Sequence, residues 1–434
     1  MAEELNWARN YRYGAEAIVR PATLDQVRGT VASAAHVHAL GSRHSFNDGA
    51  DSAGVLVSLE NLDPGIVVDA QAGTVAVSGG TRYGTLAEAL HRQGFALHNL
   101  ASLPHISVAG AIATATHGSG NRNGNLATAV RALEIVTADG ELLTVSRADT
   151  PDFAGMVVGL GALGVVTRVT LDIQPAFEVR QDVFENLPWV RVLEHFDEVT
   201  SSAYSVSLFT DWRGDTVGQA WLKSRTDAPA GVAVAGHAGR LGRAGQRGRS
   251  EFFGGTAATE ALHPLPGISA ANCTQQLGVP GPWSDRLAHF KMAFTPSSGA
   301  ELQSEYLVPR EHAVAAIEVM RELSDRVSPL LLVSEIRTVA ADDLWLSPNY
   351  RRAGIGLHLT WKPEQEAVEN LLPLIERRLA PFGARPHWGK LFHADAATLA
   401  PLYEKLPEFR ALAERLDPER KFRNDFLDRT VFGA

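Results

Sequence analysis

Three stretches of the chain carry residue types whose spacing suits chemistry. The first is the turn Gly41-Ser42-Arg43-His44-Ser45-Phe46-Asn47, which follows the short apolar run Val37–Leu40. Backbone N–H groups in such a turn can form a nest for a phosphate. His44 adds an imidazole, whose plainer reading is an exposed or locally hydrogen-bonded side chain. The second is Ala101–Gly120, rich in small residues, with hydroxyls at Ser102, Ser107, Thr114, Thr116 and Ser119. Backbone without large side chains can approach a diphosphate closely, although an Ala/Gly-rich helix packed on a sheet has the same composition. The third is a polar alternation, Glu335-Ile336-Arg337 and Leu357-His358-Leu359-Thr360. On strands, each pair of polar residues falls on one face. A polar face in apolar surroundings is costly unless a polar partner meets it. For Glu335 and Arg337 a self-satisfying ion pair on a solvent-facing strand is the alternative.

Several chemistries are excluded by the same reading. No Gly-Lys-Ser/Thr unit supports a nucleotide-hydrolysing loop, and no Gly-x-Gly-x-x-Gly stands at the cradle site. Gly79-Gly80 with Gly84 is too loosely spaced to replace it. A hydrolase elbow of the Gly-x-Ser-x-Gly type is absent. His36 and His38 have no carboxylate or cysteine nearby, so no metal site is expected. A single cysteine, Cys273, excludes an internal disulfide and a cysteine-rich zinc site. Trp283 and Trp388 read as core or pocket wall.

The elements that must position these residues divide the chain. At 434 residues it exceeds the size at which one core keeps growing, and its 45% apolar and 21% charged content is that of a globular protein. The spacing predicts a helix over 24–35 opened by Pro21 and Thr23, a strand over 37–40, a hairpin over 66–77, and a helix over 83–93 ending at Gly94. Asp139-Gly140, between two β-rich runs, predicts a two-residue type I′ turn. Strands are expected over 177–183, 204–209 and 218–222, and a helix over 311–323. Residues 231–255, with Arg240, Arg243, Arg247 and Arg249, read as a period-free surface insertion. The net charge of −9 disfavours nucleic acid. No apolar run reaches bilayer length, and Met1–Asn6 lacks the apolar core of a secretory signal, so a cytoplasmic protein without membrane contact is expected. Nothing suggests a coiled coil, and a monomer is expected.

The Gly-Ser-Arg-His-Ser turn and the Ser107-Val108-Ala109-Gly110…His117-Gly118-Ser119-Gly120 segment resemble the FAD-binding domain of the vanillyl-alcohol oxidase superfamily. His387-Trp388-Gly389-Lys390 resembles the signature of its sugar-alcohol and aldonolactone branch. Within that branch the bacterial alditol oxidases are similar along nearly the whole chain, including Ser102–Gly110, Tyr204–Arg213, Gly278–Trp283 and Phe294–Tyr306. The resemblance implies an α+β, two-domain FAD-binding fold with an antiparallel-sheet substrate domain. Residues 1–175 and a returning tail, 386–434, would form the FAD domain around a substrate domain of 176–385.

It further implies that His44 carries FAD covalently. Gly41, Ser42, Arg43, Ser45, Ser102 and Ser107 would line the cofactor, together with Gly110, Thr114, Thr116, His117, His387 and backbone of Val166. Arg337 and Lys390 would be catalytic, holding the reacting hydroxyl and offsetting developing negative charge. Ser102, Glu335, His358 and Thr360 would bind the other hydroxyls of the substrate. The implied reaction converts the terminal hydroxyl of a polyol such as xylitol or sorbitol to an aldehyde, with O2 reduced to H2O2. Two alternatives stay open: an aldonolactone oxidase or dehydrogenase of the same branch, and a flavin-binding module without oxidase activity.

Overall fold

The computed structural model describes residues 4–227, 250–294 and 301–433. The four arginines of the expected insertion lie outside the described residues, as do 295–300 of the Phe294–Tyr306 string. The insertion's far end forms strand. Glu251–Phe252 and Gly255–Ala257 pair antiparallel at the edge of a large sheet, which corrects the expectation for 250–255.

The N-terminal layer begins with the helix Leu24–Ser33, capped by the Thr23 hydroxyl, which accepts from Gln26 N. Val27 and Val31 of this helix pack with Val37 and Val57 of a small parallel sheet made from Ala17–Val19, Val55–Ser58 and Val37–Leu40. A five-stranded antiparallel sheet follows, in the order Val67–Asp69, Thr74–Ser78, Val165–Asp172, Val130–Val136, Leu142–Ser146. The hairpin at Asp139-Gly140 differs from expectation. Thr137 N donates to Glu141 O at 3.0 Å, so the bonded pair encloses three residues, 138–140, and of these only Gly140 takes positive φ, 82°. Asp139 Oδ1 accepts from Glu141 N and the Thr137 hydroxyl, local bonds that a two-residue turn would forgo.

Among the described residues, 178–361 together with Arg385–Pro386 build a ten-stranded sheet. Its central order is Glu178–Pro188, Thr216–Arg225, Ser205–Thr210, Leu331–Val339, Gly354–Trp361, Leu302–Pro309, all antiparallel. One face, with Leu208, Ile336, Leu357 and Tyr306, packs on the helices Ala313–Glu322 and Gln365–Leu379 through residues such as Ile317, Met320, Leu372 and Ile375. The register puts Phe209, Glu335, His358 and Glu305 in one row across the opposite face. That face lines the cavity between the two layers.

The tail joins the layers. Arg385–Pro386 extends the large sheet beside 306–307, and His387 N and Leu391 N continue the bonding to Glu305 O and Gln303 O, each at 2.9 Å. On its other side, Gly389 O accepts from Phe46 N at 2.9 Å, and Asn47 Nδ2 donates to the carbonyls of Trp388 and Lys390. Further on, Lys421 O accepts from Val37 N, and the Lys421 ammonium donates to carbonyls of Val31 and Ala138. Among the described residues no helix is long and apolar enough to cross a membrane.

Candidate active site

A cavity of about 330 Å³ lies between the layers, and every site residue singled out from the sequence lines it. Two walls face each other across it.

The first wall comes from the 41–47 turn and the stretch 101–117. Gly41 and Gly110 stand where a Cβ on either would come within 2.7 or 2.8 Å of Ser107 Oγ. That hydroxyl is buried and has no partner. Ser42 Oγ accepts from Ser107 N, and Thr114 Oγ1 lies 3.0 Å from Thr116 Oγ1. The short helix Val108–Ala113 packs on the strand Val165–Asp172, so the small residues serve tight packing as well as the cavity. Arg43 lines the cavity while its guanidinium pairs with Glu4 at 2.5 Å. His44 is half-buried, with both ring nitrogens enclosed and unbonded, and it stacks on Trp7 at 5.2 Å. Burial pushes its pKa down to about 4, so the ring is neutral near pH 7 and keeps a free lone pair. An unpaired buried imidazole, an unpaired hydroxyl and a backbone cradle kept open by two glycines fit a dinucleotide bearing a ring system.

The second wall is the polar row of the large sheet, and it centres on a residue that the sequence reading left out. Glu305 is fully enclosed; its Oε1 accepts from Arg337 Nη2 at 2.7 Å and its Oε2 from Lys390 Nζ at 2.5 Å. His117 Nε2 lies 3.2 Å from the same carboxylate. Burial alone would raise the pKa of Glu305, but Arg337 and Lys390 together hold it well below the usual carboxylate range. Lys390 Nζ also lies 2.7 Å from His358 Nδ1, and His358 Nε2 lies 3.0 Å from Thr360 Oγ1. Burial, then the Lys390 charge, lowers His358 to about 4. The ring is therefore neutral, and the network assigns its proton to Nε2, facing Thr360. Arg337 Nη1 reaches Ser102 Oγ at 3.4 Å, linking the two walls.

His289 is the other residue missed. Its Nε2 donates to Glu335 Oε1 at 2.9 Å, and burial lowers the imidazole to about 4. Glu335 is held below the usual carboxylate range, with Arg337 and His289 overriding its burial. The segment carrying His289 is irregular. Its position comes from the buried Lys223, whose ammonium donates to the carbonyls of Arg286, Leu287 and Ala288 at 2.7–2.8 Å. His289 N and Phe290 N both donate to Ser102 O. Among the described residues no cluster of His, Cys, Asp or Glu could hold a metal ion; His38 instead bonds Phe422 O through Nδ1.

The comparisons with known proteins agree with this geometry. A family described as FAD binding domain matches residues 15–146, and one described as D-arabinono-1,4-lactone oxidase matches 295–430. An alditol oxidase of Streptomyces sp. (strain IKD472) is 49% identical over 425 residues, covering 97% of each chain. The chain belongs to the alditol oxidase family. It is thus an FAD-dependent oxidase of the vanillyl-alcohol oxidase superfamily. The L-gulono-1,4-lactone dehydrogenase of Mycobacterium tuberculosis is more distant, 31% identical over 437 residues and 98% of each chain. In fold, the chain is similar to the crystal structure of cholesterol oxidase from B. sterolicum, with TM-score 0.75 over 99% of this chain and 96% of that one, at 17% identity. That likeness in fold, together with the FAD binding domain match, bears out the expected α+β FAD-binding fold.

Proposed function

We propose that the protein oxidises the terminal primary hydroxyl of alditols such as xylitol or sorbitol to the aldose, with O2 reduced to H2O2. In this reading residues 1–175 and 386–434 hold FAD, attached covalently through His44, and residues 176–385 bind the polyol. The observation that carries it is the polar row facing the His44 cradle. Two cations, Arg337 and Lys390, alternate with two carboxylates, Glu305 and Glu335, so the wall is nearly neutral while dense in donors and acceptors. Such a wall suits an uncharged, polyhydroxylated chain better than a sugar acid.

FAD, when bound, supplies the acceptor for the hydride. Arg337 and Lys390 hold the reacting hydroxyl and offset the negative charge that develops as its proton leaves. Glu305 fixes both cations from behind. The Thr360 hydroxyl already accepts from His358, which frees its own proton for a substrate oxygen. Ser102 and Glu335 complete the set that pairs with the remaining hydroxyls, while His358, expected to bind substrate, has both ring nitrogens engaged by Lys390 and Thr360 and acts by orienting them. Most of this wall is paired within itself, so selectivity for hydroxylated chains rests on the few groups with bonding capacity to spare, the Thr360 proton among them.

An aerobic peroxide assay over a panel of xylitol, sorbitol, gulonolactone and galactonolactone tests the reading. Peroxide with the polyols is expected; turnover of the lactones alone would transfer the protein to the lactone oxidases, and no peroxide at all would leave a flavin-binding module. Acid-precipitated protein should stay yellow. A colourless pellet with free FAD in the supernatant rules out the His44 linkage.

A further inference from the structure

The strand Gly354–Trp361 has a glycine where its neighbours carry the charges of the site. Gly356 stands opposite Arg337 on one side and Leu307 on the other, two residues from His358 and so on the cavity face. Its φ is not in the left-handed region, so backbone conformation does not call for glycine. A glycine inside a strand weakens it and often marks a place where something approaches closely. Here the approaching group is a carboxylate. A Cβ at 356 would stand 2.6 Å from Glu305 Oε1 and 3.3 Å from His117 Cε1. Oε1 is the oxygen that accepts from Arg337 Nη2 at 2.7 Å. Arg337 and Glu305 lie on the two strands that flank 354–361, so their side chains meet only by crossing over the strand between them.

We infer that Gly356 is a positioning residue: its missing side chain lets the Arg337 guanidinium meet the Glu305 carboxylate across the strand, and so sets where Arg337 holds the reacting hydroxyl. The last clause rests on the alditol-oxidising reading; the crossing itself does not. An added methyl would be accommodated by the carboxylate and not by backbone, because Oε1 is the end of a side chain. Reaching ordinary 3.4 Å contact from 2.6 Å takes a shift of about 0.8 Å. Glu305 is enclosed and its other oxygen is tied to Lys390, so the shift comes at the expense of the Arg337 bond. Misplacing a catalytic group by about 1 Å costs on the order of 100-fold in rate. The fold should tolerate the change and the reaction should not.

The test is Gly356→Ala in the holoenzyme. FAD content should match wild type, while kcat with xylitol falls about 100-fold and KM changes far less. Glu305→Asp is one methylene shorter and draws the carboxylate back. Gly356→Ala/Glu305→Asp should therefore regain about 10-fold over Gly356→Ala, although Glu305→Asp alone is impaired. Wild-type kcat in Gly356→Ala, or losses that simply add in the double variant, would overturn the inference. So would a double variant that fails to fold, since the conflict would then lie elsewhere. If wild-type protein oxidises no polyol, the functional reading fails separately. Unfolding midpoints of the same variants then decide the crossing. Gly356→Ala should destabilise the wild-type background and be near neutral in the Glu305→Asp background, and equal shifts in both would overturn it.

Discussion

The two walls of the cavity treat buried polarity in opposite ways. Around His44 polar atoms are left without partners: both imidazole nitrogens and the Ser107 hydroxyl are enclosed and unbonded. Around Glu305 the carboxylate, two cations and an imidazole form a connected network. Leaving a buried group unpaired costs free energy, so the first wall is complete only with a ligand in place. The second is largely satisfied by its own members, so its role is to hold geometry before any substrate arrives. One wall is built to be filled and the other to stay still.

That contrast can be broken at the network first. Glu305→Gln leaves Lys390 buried without its counterion and Arg337 with only the 3.7 Å contact to Glu335, and should lower stability by roughly 3–5 kcal/mol in denaturant unfolding. A loss under about 1 kcal/mol would mean the network is not what fixes the second wall. Arg337→Ala or Lys390→Ala should lower kcat by about 10²–10³, or ~3–4 kcal/mol of barrier, with FAD retained; near-wild-type turnover with xylitol would remove both from the reaction. Acid should act through the neutral imidazoles. His289 and His358 sit near 4 when folded against about 6.5 unfolded, so the unfolded chain binds more protons in between. Stability from these two rings is full above about pH 6.5 and is lost as pH falls toward 4. Thermal unfolding across that window should show the decline, and His358→Gln should make it shallower while the contribution of His289 remains. The smallest effect is expected at the first wall's support: Trp7→Ala removes the ring stacked on His44 and should cost about 1 kcal/mol of stability, with turnover reduced a few-fold.

Much of the site was legible because it follows short-range rules. The pairs Glu335/Arg337 and His358/Thr360 alternate with apolar residues, and that period alone puts each pair on one face. The 41–47 turn and the small residues near Gly110 announced a backbone cradle. Glu305 was hidden because it is a single acid before the apolar run Tyr306-Leu307-Val308, although Gln303 two residues earlier hinted at a polar face. Only the register, which aligns it with His358, gives it meaning. His289 carried no signal at all, since its segment is irregular and is positioned by Lys223, more than sixty residues away in sequence. The Asp139-Gly140 turn misled because the Asp carboxylate bonds locally and lengthens the loop.

The strap at 385–391 bonds the edge of the large sheet on one side and the His44 turn on the other. Both of those partners are synthesised well before it. A growing polypeptide therefore lacks the closing side of its chamber, and the lysine that reaches into it, until the strap itself has been made. The two walls can face each other in their finished geometry only once that seam is drawn shut.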